Sequence, residues 1–102
     1  MTPAKVLTIL VDETDTQNDI PLYELIVRRL VQLNASGATV HAGIMGFGRH
    51  HKVHRKRLFG VSDDRPITIT VVDSAEKIEV IVREIKPMVT EGLMLVTDAF
   101  IV

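Results

Sequence analysis

The sequence of 102 residues predicts one α+β domain of ferredoxin-like type, in which a four-stranded antiparallel sheet with the order βαββαβ carries two helices on one face. Segments with strand periodicity and segments with helical periodicity follow one another in that order, and no repeat or low-complexity tract interrupts them. The hydrophobic fraction of 46% and the charged fraction of 25% are typical of a globular protein. We therefore expect a single domain over residues 1–102 with one core.

The first half of the chain supplies a strand, a helix and a second strand. A β-branched run at 5–11 predicts a buried strand, and the acidic segment 12–19 predicts turns. Pro21 stands near the start of a helical pattern, where its missing N–H costs nothing. We expect Gly37 to end this helix and strand character to return at 38–45. The apolar stripe of the helix consists of Leu22, Ile26, Leu30 and Leu33.

After a basic segment, the second half of the chain supplies a strand, a helix and a last strand. Residues 67–72 alternate as ITITVV, which predicts a strand, and Ser74 is a suitable N-cap for a second helix. Pro87 and Gly92 are expected to end that helix, and 93–102 to form the last strand. The apolar stripe of this helix consists of Ile78, Ile81, Val82 and Ile85.

The last strand predicts an oligomer, because it is apolar on both faces. Two helices can cover only one face of a four-stranded sheet, so an apolar second face needs a partner surface. We expect other subunits to bury it. One face consists of Leu93, Leu95, Ala99 and Ile101, and the other of Met94, Val96, Phe100 and Val102.

Positive charge is concentrated at 46–57 (GFGRHHKVHRKR), which holds five of the twelve Lys and Arg residues and three of the four histidines, although the net charge is −1. Glycines on both sides of Phe47 give the backbone freedom, and cationic side chains bind phosphates or carboxylates. We expect 46–64 to be a flexible basic loop that binds a small anion or docks a partner. The alternative is a solvated loop whose charge serves solubility. The expected phosphate-neutralising residues are Arg49, Lys52, Arg55, Lys56 and Arg57.

The histidines and the first turn supply further candidates. His50 and His54 have the spacing of a zinc or copper pair, but the surrounding arginines and lysines disfavour a cation, so no metal is expected. These histidines are expected instead to contribute to effector binding, and they can make the loop charge sensitive to pH. His41 is expected on the face without helices, either as a hydrogen-bonded interface residue or as a ligand or catalytic residue of the cleft. Glu13 and Asp15 follow the first strand and either line a cleft or serve as turn residues.

Several functional classes find no support in the sequence. Cysteine is absent, which excludes disulfides and thiolate chemistry. There is no catalytic triad with a supporting motif, no phosphate-binding glycine loop and no zinc-protease motif, so an enzyme is not expected. Acylphosphatases share the element order but carry an anion-binding loop after the first strand, where this chain has the acidic DETDTQND. A cytoplasmic protein is expected, because the first residues lead straight into a strand.

The combination of two motifs resembles PII signal-transduction proteins and, more closely, an uncharacterised PII-like family of about one hundred residues. The first motif is Pro21-Leu-Tyr-Glu at the helix start. The second runs from Gly37 through G-I-M-G-F-G to Arg49, where a Gly-x-Thr-Val strand of PII proteins opens into the long T-loop. The resemblance covers essentially the whole chain.

This resemblance implies a ferredoxin-like homotrimer that binds adenine nucleotides in clefts between subunits. The T-loop base corresponds to Gly46, Phe47, Gly48 and Arg49 here. PII proteins place a Gly-Asp-Gly-Lys-type loop before the last strand, and of that loop only Gly92 matches. Most of the charge that binds phosphate is therefore expected from the basic segment itself. The implied role is regulation of a protein target, such as a membrane transporter, through the loop.

Two other functions are consistent with the same residues. The basic loop can belong to a nucleic-acid-binding module, although the four aromatic residues offer no exposed pair for base stacking. The histidines can also indicate a metal-responsive protein related to the PII-like copper-tolerance trimers.

Overall fold

The computed structural model describes residues 1–48, the backbone of residues 53–55, and residues 64–102. Most of the predicted 46–64 loop lies outside the described residues. The elements in chain order are strand β1 (Thr2–Asp12), β2 (Thr16–Gln17), β3 (Ile20–Pro21), helix α1 (Leu22–Gln32), β4 (Thr39–Ala42), β5 (Met45–Phe47), β6 (Val53–Arg55), β7 (Pro66–Asp73), helix α2 (Ala75–Ile85), a 3₁₀ turn (Lys86–Met88) and β8 (Leu93–Ile101).

Strands β4, β7, β1 and β8 form one antiparallel sheet in that order. The long strands β1 and β7 lie at its centre, and their pairing ends with Asp12 opposite Pro66. On the other side of β1, Leu10 lies opposite Leu93, the first residue of β8. The carboxyl end of β1 therefore meets the starts of β7 and β8 at one end of the sheet. The predicted α+β class and the four-stranded antiparallel sheet with two helices are confirmed.

The core lies between one face of this sheet and the two helices. Alternate residues of β1 and β7 contribute to it, as the period of two in a strand requires. Burying each such aliphatic side chain contributes roughly 1.5–3 kcal/mol. Among the described residues, no helix is long and apolar enough to cross a membrane. The fully buried side chains include Leu7, Ile9, Ile69 and Val71 from the strands, and Ile26, Leu30, Ile81 and Ile85 from the predicted helical stripes.

A short hairpin that the sequence pattern did not reveal precedes α1. Strands β2 and β3 are joined by Asn18 and Asp19, whose φ values are 53° and 65°. Positive φ at both central residues is the requirement of a type I′ turn, and Asn and Asp adopt it more readily than other residues with a side chain. Pro21 then stands at the N-cap of α1, in agreement with the prediction.

The end of α1 corrects the prediction for Gly37. Asn34, not Gly37, takes the left-handed conformation, with φ at 64°. Its N–H donates to Val31 O at 3.0 Å, and the N–H of Ala35 donates to Leu30 O at 3.1 Å. This pair of bonds is a Schellman closure, which satisfies carbonyl groups at the helix end. The helix therefore ends at Gln32, and Gly37 lies in the connection to β4.

The start of α2 follows the prediction. The hydroxyl of Ser74 accepts a hydrogen bond from the N–H of Lys77 at 3.2 Å. Next to it, the carboxylate of Asp73 accepts the N–H groups of Ser36 at 2.9 Å and Ser74 at 2.8 Å. Burial raises the pKa of Asp73, but these backbone hydrogen bonds outweigh that effect and hold the pKa below its ordinary value.

The strand predicted at 38–45 is divided in the structure. It breaks at Gly43, whose N–H donates to Pro66 O at 2.7 Å. A Cβ atom added to Gly43 would lie only 2.7 Å from Pro66 Cγ, so the close approach depends on glycine. Beyond this point the chain leaves the sheet, and β5 pairs with β6 instead, with Gly46 opposite His54.

The face of the sheet opposite the helices is apolar along β1 and β8. Strand pairing places Leu10 beside Leu93 and Thr8 beside Leu95. The exposed fractions of Leu93 and Leu95 are 57% and 40%. Towards β4 the same face carries hydroxyl groups, including that of Thr70, which pairs with Thr8. We call this surface the open face. The predicted second apolar face is therefore present, and its most exposed leucine side chains lie on β8, at the edge of the sheet.

Candidate functional site

A cleft of about 620 Å³ opens at the end of the sheet where β1 ends and β7 and β8 begin. We call it the strand-end cleft. Its floor consists of residues 10–12 and 66–67, and one wall consists of residues 45–48. The other wall consists of residues 91–93, with Asp15 at the margin. Its volume lies in the range of small-molecule binding sites.

Pro66 positions the wall that leads into the basic segment. A Cβ atom added to Gly46 would lie 3.2 Å from Pro66 Cγ, so β5 passes directly over the proline ring. Gly43 packs against the same ring, and its N–H donates to Pro66 O. The chain on the N-terminal side of the basic segment is therefore fixed to the start of β7.

The opposite wall depends on Gly92. A Cβ atom built on Gly92 would lie 2.3 Å from Leu10 O and 2.7 Å from Val89 Cγ1. Real Cβ atoms do not approach a backbone oxygen so closely, and this oxygen belongs to a central strand. Only glycine therefore lets the chain turn into β8 against the end of β1.

The described part of the cleft lining carries three carboxylates, those of Asp12, Asp15 and Glu91. Asp15 Oδ2 accepts the N–H of Asp12 at 3.0 Å, and Asp12 Oδ1 accepts the N–H of Thr14 at 3.2 Å. These bonds hold the turn after β1 in place. The remaining described lining is mainly apolar, including Phe47, whose exposed fraction is 67%. No three potential metal ligands among the described residues converge on one point.

Beside the cleft, Glu13 and Arg65 form an ion pair with two hydrogen bonds. Arg65 Nε donates to Glu13 Oε2 at 2.7 Å and Arg65 Nη2 donates to Oε1 at 2.8 Å. The N–H of Glu13 also donates to Arg65 O at 2.9 Å. The hydrogen bonds from Arg65 lower the pKa of Glu13 below its ordinary value of 4.5. This pair joins the end of β1 to the residue before β7.

The structure brings together four of the residues that the sequence suggested for effector binding. Gly46, Phe47 and Gly48 line one wall of the cleft, and Gly92 lines the other. Asp15 lies at the margin of the cleft, which is one of the two placements considered for the residues after the first strand. The two walls, residues 45–48 and residues 91–93, are separated by more than forty residues in sequence. The sheet topology makes them neighbours.

Two other candidates are placed elsewhere. Glu13 is not in the described cleft lining, and its carboxylate is held by Arg65. His41 lies on the exposed edge strand β4, opposite Thr68 and on the open face, in agreement with the predicted face. Thr68 in turn pairs with Leu10, so His41 shares a row of side chains with the cleft margin.

The cationic candidates fall largely outside the described residues. Arg49, His50 and Lys52 lie outside the described residues. His54 and Arg55 belong to β6, of which only the backbone is described. Sequence reasoning did not single out Asp12, Glu91 or Pro66. A signal for Glu91 was present, because it directly precedes the one glycine that matches the PII-type loop.

Comparison with sequence families gives one match over nearly the whole chain. Residues 4–101 match the family model DUF190, described as Uncharacterized ACR. A UPF0166 protein of Methanocaldococcus jannaschii is 31% identical over 102 residues, which cover 99% of this chain and 94% of that protein. A UPF0166 protein of Aquifex aeolicus is 29% identical over 82 residues, which cover 80% of this chain and 78% of that protein.

Solved structures with the same fold are PII-like proteins. CPII, a nitrogen regulatory PII-like protein of Thiomonas intermedia bound to ADP, AMP and bicarbonate, has a TM-score of 0.75 and 21% identity over 97% of this chain and 88% of that chain. A PII-like protein of Thermus thermophilus has a TM-score of 0.73 and 19% identity over 99% of this chain and 91% of that chain. The chain therefore has the PII-like fold that the sequence resemblance predicted.

Proposed function

Because the chain belongs to the DUF190 family and has the fold of PII-like proteins, we propose that it is a signalling protein whose strand-end cleft binds an adenine nucleotide. The observation that carries the proposal is the cleft itself, which lies between residues 45–48 and residues 91–93. In the PII proteins that the sequence resembles, the corresponding two segments bind the nucleotide, which supports the proposal. CPII, with the same fold, is solved with ADP and AMP. The effector would be a small anion of this class.

The proposal includes a homotrimer with the cleft at the subunit boundary. Leu10 and Leu93 line the cleft and also belong to the open face. A second copy that covered the open face would therefore border the cleft. Burying Leu95 as well would remove an exposed apolar edge from water, which favours association.

Positive charge for the effector would come from the basic segment. The described lining contains carboxylates, whereas five Lys and Arg residues lie within 46–57. Gly46 to Gly48, at the start of that segment, and Pro66, which follows the 46–64 loop, both line the cleft. An anion in the cleft would thus bias the arrangement of the segment that follows, provided that it binds one arrangement more tightly than the other.

The regulated target in this proposal is another cytoplasmic or membrane-bound protein, such as a transporter. The loop over 46–64 would contact it, and the effector would raise or lower its affinity. No catalytic step is part of this function. A small second ligand such as bicarbonate would be tested beside the nucleotide, because CPII is solved with both.

The test is calorimetry with AMP, ADP and ATP, with and without bicarbonate, on the wild type and on the variant Arg49→Ala/Lys52→Ala/Arg55→Ala. We expect wild-type binding and at least a tenfold loss in the variant. The matched control is Arg28→Ala/Arg83→Ala/Lys86→Ala, which removes the same charge from exposed helix and turn positions. Absence of nucleotide binding by the wild type, or an equal loss in both variants, would contradict the proposal.

Two further measurements address the other parts. Light scattering should give a trimer, and a monomer would remove the inter-subunit cleft. Single-stranded RNA is included in the titrations, because RNA binding that weakens steeply with salt would favour the nucleic-acid function instead.

A further inference from the structure

We propose that the carboxylates of Asp15 and Glu91 make the strand-end cleft select against each additional phosphate of its ligand. The inference rests on the proposed function and adds a specificity to it. Every charged side chain in the described lining is a carboxylate. Of two nucleotides that the basic segment holds equally well, these carboxylates therefore favour the one with fewer phosphates.

Asp15 is carried by backbone that is fixed on both sides. Its N–H donates to Asp12 O at 3.0 Å, and its carbonyl oxygen accepts the N–H of Leu22 at 2.7 Å. Its own Oδ2 accepts the N–H of Asp12 at 3.0 Å. The carboxylate therefore cannot leave the cleft margin without breaking a hydrogen bond, and its negative charge stays at this position.

Glu91 lies on the wall that consists of residues 91–93. It directly precedes Gly92, whose close approach to Leu10 O leaves that turn no alternative path. The Glu91 side chain is exposed to solvent and belongs to the lining of this wall. A ligand held between the two walls would therefore lie beside two carboxylates of the described lining, that of Asp15 at the margin and that of Glu91 on one wall.

The rest of the described lining suits the uncharged part of a nucleotide. Met45 and Phe47 present exposed apolar side chains beside the cleft, and Val11 and Ile67 form apolar floor. A base and ribose gain from such a surface, and ribose hydroxyls can donate to a carboxylate. Each phosphate adds negative charge that both carboxylates repel, so the unfavourable contribution grows with phosphate number.

The experiment is calorimetric titration with adenosine, AMP, ADP and ATP in buffer with EDTA, so that no divalent cation neutralises the phosphates. The variants are Glu91→Gln and Asp15→Asn, both of which keep the side-chain size. The control is Glu79→Gln, which removes one charge from an exposed position of α2 outside the described cleft lining. Circular dichroism verifies that each variant is folded.

We expect Glu91→Gln to leave adenosine affinity within roughly twofold and to tighten nucleotide binding by roughly two- to fivefold per added phosphate. Asp15→Asn should act in the same direction, and both gains should shrink in high salt. Equal changes for adenosine and ATP, or a pattern matching that of Glu79→Gln, would overturn the inference while leaving the nucleotide function intact. Failure of every ligand to bind every variant would overturn both.

Discussion

Glu13 and Arg65 are joined three times, through two hydrogen bonds between their side chains and one between their backbones. The exposed fractions of the two side chains are 19% and 27%, so the pair is largely shielded from water. It connects the turn after β1 with the residue that enters β7. The cleft floor consists of the end of β1 and the start of β7. The ion pair therefore fixes these two strand ends relative to each other.

We predict that Glu13→Gln lowers the free energy of unfolding by about 1–2 kcal/mol, because it removes a charged partner from two short hydrogen bonds. Denaturant unfolding followed by circular dichroism measures this change. Glu24→Gln is the matched control, since Glu24 pairs with Arg28 at 3.4 Å on an exposed helix surface. That change should cost less than about 0.5 kcal/mol. Equal costs for the two variants would show that the Glu13 pair contributes nothing special.

The same pair predicts a pH dependence. The pKa of Glu13 is lowered in the folded state, so the unfolded chain binds the proton more readily. The stabilisation is therefore present above the ordinary value of 4.5 and is lost as pH falls through the lowered folded pKa. Unfolding measured at pH 7 and pH 3 should show a smaller difference between wild type and Glu13→Gln at the lower pH. A difference that grew on acidification would refute this sign.

Gly92→Ala is predicted to destabilise the protein by about 2–3 kcal/mol, because its Cβ atom would meet the backbone oxygen of Leu10. The matched control is Gly37→Ala, where an added Cβ atom has nothing within 4 Å. That variant should keep the wild-type melting temperature within a few degrees. Thermal unfolding compares the two, and similar melting temperatures would contradict the close contact at Gly92.

The open face provides a prediction about assembly. Leu95→Glu places a charge at the centre of the exposed apolar β8 edge, and we expect it to convert a trimer into a monomer in light scattering. Val31→Glu is the control, because Val31 has an exposed fraction of 74% on α1, on the opposite side of the sheet. A trimer that survives Leu95→Glu would exclude the β8 edge as the interface.

The sequence predicted the sheet and helices well because their signals are local and repeated. Four strand patterns and two apolar stripes each recur over several residues, and Ser74 and Pro21 mark the helix starts. The end of α1 was misplaced because Asn34 can take a positive φ that is usually assigned to glycine. Nothing local in the sequence distinguished Asn34 from Gly37 as the terminator.

The cleft was predictable only in part. The resemblance pointed to Gly46, Phe47, Gly48 and Gly92, and the fold brings these residues to one place. The acidic lining was not predicted as a whole, because it combines the turn after β1 with a single residue before β8. Likewise, the break at Gly43 results from contact with Pro66, which is distant in sequence. Such contacts follow from the pairing of whole strands and leave no periodic signal.

The most direct test of the central claim is an amide ¹H–¹⁵N NMR titration with ADP, followed at the glycine signals. The chain has six glycines, and three of them, Gly46, Gly48 and Gly92, line the strand-end cleft from its two walls. We predict that these three signals shift together and saturate with one dissociation constant, while Gly37 stays in place. If ADP at millimolar concentration leaves the three cleft glycines unmoved, the strand-end cleft is not a nucleotide site.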